Sequence, residues 1–176
     1  SLSANWMWPC RNEGEDAALY SAVKACSDFA CALGINIPTG KDSLSMTQKY
    51  GDKKVLSPGT VIISAGAEVK DVKKTVSPVV QLKDSSIYYV DFSGDEMRIG
   101  GSALAQVMCK VGSDVPTVKS PEYFAKAFAA IQKLVNRKSL LAMHDVSAGG
   151  MITALLEMIF ANVKGGLEVN IDGFNT

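Results

Sequence analysis

The feature that most constrains this sequence is a short apolar run followed by a glycine-containing turn and an amphipathic segment, which occurs twice in its second half. Residues 86–92 precede Gly100-Gly101-Ser102, and residues 140–143 precede the loop of residues 144–150. Short apolar runs bounded by glycine predict strands, whereas apolar residues three and four apart predict helices. Strand–turn–helix units of this kind predict an α+β fold.

The first half adds one strong helical pattern and several shorter extended segments. Between residues 13 and 33 the apolar positions recur at helical spacing, and Gly34 is a suitable left-handed stop. Residues 35–38 are predicted to be extended and to enter a loop, Thr39-Gly40-Lys41-Asp42-Ser43. Further predictions are a polar hairpin at residues 51–54, strands at residues 60–69 and 167–171, and helices at residues 121–135 and 151–161.

A change of composition predicts two domains. Residues 70–83 are charged, contain Ser77-Pro78 and show no apolar periodicity, as is typical of a domain junction. We therefore place the boundary near Pro78, with one domain at residues 1–78 and the other at residues 79–176.

Charge and hydropathy exclude some functions. Eighteen Lys and Arg residues balance eighteen Asp and Glu residues, so no net charge attracts the chain to nucleic acid or to an anionic membrane. Apolar runs are too short for a membrane span, and the N-terminus lacks a signal-peptide pattern, so we expect a cytoplasmic protein. The four cysteines lack C-x-x-C spacing and are expected to be reduced and buried.

The loop of residues 144–150 carries the most suggestive chemistry. Asp145 offers a hard oxygen to Mg²⁺, Ser147 a hydroxyl to a phosphate, and Gly149 and Gly150 accessible amides at a helix N-terminus. The alternative is that Asp145 or Ser147 caps the helix and that the glycines only form a turn. His144, the sole histidine, is expected to be structural, because no nucleophile partner is identified for it.

Two further segments are candidates for phosphate binding. Gly100 and Gly101 precede a helix, which suits an anion, although a purely structural turn is favoured because the P-loop pattern is absent. Lys41, Asp42 and Ser43 resemble the end of a P-loop but lack its first glycine. Lys41 can neutralise a phosphate and Asp42 can orient it or bind metal; the alternative is an exposed ion pair worth about 0–1 kcal/mol.

Several ordered blocks together resemble one family. They are Leu2-Ser3-Ala4-Asn5-Trp6-Met7, Gly14-Glu15-Asp16-Ala17, Gly40-Lys41-Asp42-Ser43-Leu44-Ser45-Met46, Gly101-Ser102-Ala103-Leu104-Ala105-Gln106-Val107 and Leu141-Ala142-Met143-His144-Asp145-Val146-Ser147-Ala148-Gly149-Gly150. Their order and spacing are similar to those of the large single-chain formylglycinamidine ribonucleotide synthases, also called phosphoribosylformylglycinamidine synthases. The resemblance identifies the chain as an internal fragment of the synthetase region, from its second half.

The resemblance implies an aminoimidazole ribonucleotide synthetase-like fold, with the end of an N-terminal-type α/β subdomain followed by most of a C-terminal-type one. It implies an ATP-dependent ligase of purine biosynthesis, with glutamine as amide donor and ATP or ADP and Mg²⁺ as cofactors. By the same resemblance Asp145 is a metal ligand, Ser147 contacts a nucleotide, and Lys41, Asp42 and Ser43 lie near the ligand cleft. The nucleotide at Asp145 is either the reacting one or a retained structural ADP.

The implied partners are small-molecule nucleotides, the other synthetase half and a glutaminase domain, with no nucleic acid and no membrane. The isolated fragment is expected to be inactive and to self-associate. Two alternatives stay open at this point: a non-catalytic nucleotide-binding scaffold, and a related selenophosphate or aminoimidazole ribonucleotide synthetase-like enzyme.

Overall fold

A computed structural model describes residues 1–174 of the chain. Its contacts divide the chain into two compact units, Ser1–Lys70 and Asp71–Thr176. The boundary expected near Pro78 falls inside the second unit and stays a prediction. Within the described residues, no helix is both long and apolar enough to cross a membrane.

The first unit consists of two small sheets and one long helix. Strand β1 pairs in parallel with β2 and antiparallel with β5, and β3 and β4 form a separate antiparallel hairpin. The hairpin confirms the prediction for residues 51–54. The elements are β1 (Leu2–Met7), α1 (Glu15–Ala32), β2 (Thr39–Ser43), β3 (Thr47–Tyr50), β4 (Lys53–Leu56) and β5 (Thr60–Ala65).

Helix α1 confirms the helical pattern of residues 13–33. Glu15 and Asp16 lie in its first turn, where negative charge favours the helix dipole. The amide of Leu33 still bonds to the carbonyl of Phe29, and Gly34 then takes φ 68°, a left-handed conformation that ends the helix.

The segment Thr39–Ser43 is a strand, so the loop predicted there is wrong. Its register runs from Ser3 opposite Thr39 to Met7 opposite Ser43. Glycine and aspartate have low strand propensity, but pairing with a neighbouring strand outweighs propensity. Gly40 also permits the pairing, because a Cβ there would collide with the backbone oxygen of Ala4.

The second unit, as far as it is described, contains three α-helices. These are α2 (Ala103–Val107), α3 (Pro121–Asn136) and α4 (Gly150–Ile159), accompanied by 3-10 turns at Val72–Lys74 and Asp172–Phe174. Ser102 and Ser120 cap α2 and α3, since their hydroxyls accept hydrogen bonds from the amides of Ala105 (3.1 Å) and Tyr123 (3.2 Å). The helix starts predicted at these serines are confirmed.

Three predicted strands in this unit are wrong. Residues 86–92, 140–143 and 167–171 have no strand pairing, and no strand occurs among residues 71–174. Isolated backbone bonds are made instead, such as the Met143 amide to the Ser77 carbonyl at 3.1 Å and the Lys119 amide to the Ser93 carbonyl at 2.9 Å. A strand requires a row of such bonds, which an apolar run cannot supply without a partner.

Helix α3 packs against the segment that precedes α2. The rings of Phe92 and Phe124 are 5.4 Å apart, and the hydroxyl of Tyr123 donates to the carbonyl of Asp91 at 2.9 Å. Phe124 thus faces inward. Phe128 on α3 and Ile152 on α4, two of the apolar residues at helical spacing, are nevertheless 52% and 72% exposed.

All four cysteines are free thiols, as expected, but they are not uniformly buried. Cys10 and Cys26 are half-buried, whereas Cys31 and Cys109 are exposed. The prediction of buried thiols is therefore wrong for the latter two.

Candidate functional site

The loop of residues 144–150 projects a carboxylate into solvent beside the start of α4. The side chain of Asp145 is 90% exposed. The amide of Gly150 donates to the carbonyl of Ser147 at 2.9 Å, which closes a turn, and Gly150 has φ 76°. A residue with a Cβ is strained at this φ, so the backbone conformation of the turn favours glycine at this position.

Helix α4 has no side-chain cap, which removes the capping interpretation of this loop. Its N-cap residue is Gly149, and neither Asp145 nor Ser147 bonds to an amide of the first turn. The hydroxyl of Thr153 donates back to the carbonyl of Gly149 at 2.8 Å instead. The amides at a helix start have no partner within the helix, but of the two glycine amides predicted to be accessible, that of Gly150 is already bonded to the Ser147 carbonyl.

His144 is the first residue of the loop, and only 17% of its side chain is exposed. Nδ1 is 2.7 Å from the carbonyl oxygen of Asp145, and Nε2 is 3.2 Å from Oε2 of Glu157. The prediction of a structural histidine agrees with these contacts, since both ring nitrogens are engaged. Glu157 was not identified from the sequence; a lone carboxylate on the apolar helix α4 is the signal that points to it.

The chain on the N-terminal side of this loop is held by a second contact. The Met143 amide donates to the carbonyl of Ser77 at 3.1 Å, and the Gln81 side chain donates to the carbonyl of Leu141 at 3.1 Å. The amide of Val80 in turn donates to the carbonyl of Met158, near the end of α4, at 2.9 Å. Residues 77–81 therefore connect the base of the loop with α4.

The chemistry of the loop suits a magnesium-bound phosphate. Magnesium is bound by one or two carboxylates and completes its octahedral shell with water and phosphate oxygens. Asp145 provides one such carboxylate in an accessible position. Asp145 and Ser147 thus place a carboxylate and a hydroxyl within one short segment before α4.

The Lys41-Asp42-Ser43 segment divides between the two faces of its sheet. Alternation along β2 places Lys41 and Ser43 on one face and Asp42 on the other. The Lys41 ammonium donates to the Ser43 hydroxyl. Lys41 and Asp42 are exposed and do not form the ion pair considered from the sequence.

Asn5 belongs with Lys41 and Ser43 and was not assigned a role from the sequence. It lies opposite Lys41 in the β1–β2 register and so shares its face of the sheet. Its Oδ1 is buried and has no hydrogen-bond partner. The signal in the sequence is an amide side chain in a strand that is apolar apart from Ser3.

Gly100 and Gly101 form a turn whose amides are already used. Gly100 donates to the carbonyl of Asp114 at 2.9 Å, and Gly101 donates to that of Val111 at 2.7 Å. The hydroxyl of Ser102 is occupied in capping α2. These contacts favour the structural-turn interpretation, and phosphate binding by the two glycines stays a prediction.

The segment before this turn is ordered by charged hydrogen bonds. The hydroxyl of Thr117 donates to Asp95 at 2.5 Å and is the largest cause of the lowered pKa of that carboxyl. The Ser93 hydroxyl similarly lowers the pKa of Asp91. The Nε of Arg98 lies 3.2 Å from Oδ1 of Asp114. Asp114 therefore contacts this segment as well as Gly100, whose amide bonds to the Asp114 carbonyl.

Two family models match this chain, one in its first half and the other in its second half. A family model described as the FGAR-AT PurM_N-like domain matches residues 1–68. A second, described as AIR synthase related protein, C-terminal domain, matches residues 86–175. The first covers α1 and both small sheets, and the second covers α2, α3, α4 and the Asp145 loop. The chain therefore belongs to the AIR synthase related family of ATP-using enzymes, in the synthetase region of the FGAR amidotransferases.

Proposed function

We propose that this chain is part of the ligase that converts formylglycinamide ribonucleotide, glutamine and ATP to formylglycinamidine ribonucleotide, ADP, phosphate and glutamate. The match of residues 1–68 to an FGAR-AT domain carries the proposal, and the exposed Asp145 carboxylate on a glycine turn at the start of α4 supports nucleotide binding. The family membership supplies ATP as the phosphoryl donor, and the loop offers groups suited to a magnesium-bound nucleotide.

The proposed reaction has two balanced steps. The amide oxygen of the substrate attacks the γ-phosphorus of ATP, the bond to ADP breaks, and the amide nitrogen loses its proton, which gives an iminophosphate. Ammonia then attacks the former amide carbon, the bond from that carbon to the phosphate oxygen breaks, and the amidine forms as ammonia loses a proton to the departing phosphate. Magnesium supplies positive charge to the phosphate oxygens in such a transfer.

Asp145 and Ser147 bind the nucleotide in this proposal, and the chain does not act alone. The other synthetase half completes the cleft, and a glutaminase domain delivers ammonia from glutamine. The enzyme works in the cytoplasm. We assign the Asp145 loop to a nucleotide retained for stability, so substitutions there affect nucleotide retention more than the chemical step.

Lys41, Ser43 and Asn5 are proposed to lie near the ligand cleft, because a buried unpaired amide oxygen adjoins an exposed ammonium on one sheet face. Lys41 suits a phosphate as a compact charge. Asp42, on the opposite face, contributes separately, as an orienting or metal-binding carboxylate.

The test is ADP release by the intact polypeptide that carries this chain. We expect release to require formylglycinamide ribonucleotide together with either glutamine or ammonia. Dependence on formylglycinamidine ribonucleotide alone, or on selenide, would instead assign the chain to an aminoimidazole ribonucleotide or selenophosphate synthetase. The match of residues 1–68 to an FGAR-AT domain favours the first outcome.

A further inference from the structure

We propose that Glu157 is a positioning residue for the Asp145 loop and that it acts through His144. This inference rests on the proposed nucleotide-binding role of that loop. It concerns two side chains that make no direct contact with the nucleotide in that proposal.

Two oxygens beside the ring nitrogens of His144 fix the orientation of its ring. Nδ1 lies 2.7 Å from the carbonyl oxygen of Asp145, and Nε2 lies 3.2 Å from Oε2 of Glu157, so each ring nitrogen faces an acceptor oxygen. The ring is mostly buried, with 17% of the side chain exposed. It cannot turn without losing one of these two contacts.

The position of Glu157 means that its contact with His144 links the start of the loop to the middle of α4. Glu157 lies seven residues after Gly150 on α4, which is about two turns or roughly 10 Å along the axis at 1.5 Å per residue. The 3.2 Å contact between Nε2 of His144 and Oε2 of Glu157 therefore joins the first residue of the loop to the body of the helix whose N-terminus ends the loop. The two ends of the loop are thus fixed to the same rigid element.

The other ring contact is with the backbone of the proposed metal ligand. By holding the Asp145 carbonyl at 2.7 Å, His144 fixes the peptide that follows Asp145, while the carboxylate itself is 90% exposed. The carboxylate is therefore presented to solvent by a backbone that is anchored behind it. Groups that orient metal ligands in this way are commonly worth about 10- to 100-fold in metal affinity.

Residues 77–81 show that the base of the loop is also held from another side. The Ser77 carbonyl accepts from the Met143 amide at 3.1 Å, one residue before His144. Removing the Glu157 carboxylate should consequently leave the fold in place and loosen only the part of the chain after His144.

The experiment compares Glu157→Ala with Glu157→Gln in the intact polypeptide. Two quantities are measured: hydrogen exchange of residues 145–150 without nucleotide, and the affinity for ADP with Mg²⁺. We expect Glu157→Ala to accelerate exchange in this loop and to weaken Mg-ADP binding about 10- to 100-fold. Glu157→Gln keeps an oxygen acceptor beside Nε2, so most of the exchange protection and most of the Mg-ADP affinity should be retained.

Two controls separate positioning from general destabilisation. Glu168→Ala removes a carboxylate elsewhere in the same unit, and Val135→Ala weakens α3, where Val135 is half-buried. Both should leave loop exchange and Mg-ADP affinity unchanged, even if Val135→Ala lowers the melting temperature as much as Glu157→Ala.

The positioning role is overturned if Glu157→Ala matches the Glu168→Ala control in both measurements, or if Val135→Ala weakens Mg-ADP binding equally. A wild-type polypeptide that binds no Mg-ADP overturns the proposed function of the loop. In that case the exchange measurement still decides whether Glu157 orders residues 145–150.

Discussion

At the scale of single residues, two glycines are required for different physical reasons. Gly40 allows β1 and β2 to pair, because any Cβ would meet the backbone of Ala4. Gly150 has open space around it but adopts φ 76°, so it is the backbone conformation that requires glycine. The first is a packing constraint on a sheet, and the second is a conformational constraint on the candidate site.

Gly40→Ala should therefore destabilise the first unit. The added methyl group must push β2 away from β1, and overpacking of this kind costs about 1–3 kcal/mol. Gly66→Ala is the matched control, since nothing lies within 4 Å of its Cβ position. Urea denaturation should show a lower midpoint for Gly40→Ala and little change for Gly66→Ala; equal midpoints would contradict the described register.

Asp95 should make the second unit sensitive to acid. The Thr117 hydroxyl holds the pKa of Asp95 below its ordinary value of 3.8, so the folded state favours the carboxylate. The resulting stability is present above the ordinary pKa and is lost as the pH falls through the lower folded value.

Asp95→Asn removes this contribution and should flatten the decline in melting temperature below about pH 4. The variant should also be less stable than wild type at neutral pH, because the charged hydrogen bond with Thr117 is lost. Melting curves that stay parallel across this range would show that Asp95 contributes nothing to the pH dependence.

At the scale of secondary-structure elements, the helices are the part that local sequence determines. Helices α1, α3 and α4 follow from apolar spacing, and the serine caps of α2 and α3 follow from residue type and position. The strands depend on partners distant in the sequence. For this reason residues 39–43 form an unexpected strand beside β1, whereas the apolar residues 86–92 form none.

The same distinction applies to the candidate site. Asp145, Ser147 and the glycines could be selected as a group because they lie within one short segment before a helix. For Glu157 and Asn5 the sequence offers only a polar side chain in a largely apolar element, because their roles depend on contacts with His144 and on the β1–β2 register. Such contacts are set by the fold and have no local pattern.

Ser120→Ala should reveal the contribution of a helix cap to α3. The variant loses the hydrogen bond from the Tyr123 amide, so its free energy of unfolding should be about 1 kcal/mol lower than that of wild type. Ser120→Asp retains an acceptor and is the control. Equal stability of the alanine variant and wild type in chemical denaturation would mean that water replaces the cap at no cost.

At the scale of the whole molecule, much of the apolar surface is accessible to solvent. The buried hydrophobic residues among those described are alanines, Ala4, Ala30, Ala105 and Ala154. Larger side chains on β5 remain accessible, with Val61, Ile62 and Ile63 40–51% exposed. Exposed apolar side chains of this size favour association with another protein surface.

The isolated 176-residue chain should therefore self-associate. Sedimentation velocity should show a weight-average mass that rises with concentration, together with binding of a hydrophobic dye. Ile62→Lys on the exposed sheet should reduce both effects. A monomer at every accessible concentration, without dye binding, would contradict this prediction.

The central claim is that the Asp145 loop binds a magnesium nucleotide, and nucleotide content tests it most directly. Asp145→Asn keeps the size of the side chain but removes the charge that faces Mg²⁺. Nucleotide released on denaturation of the intact polypeptide is measured for this variant, for wild type and for Asp84→Asn as control. We predict that Asp145→Asn releases far less nucleotide and melts at a lower temperature, while turnover per folded molecule changes little. Full nucleotide content and unchanged melting temperature in Asp145→Asn would contradict the account.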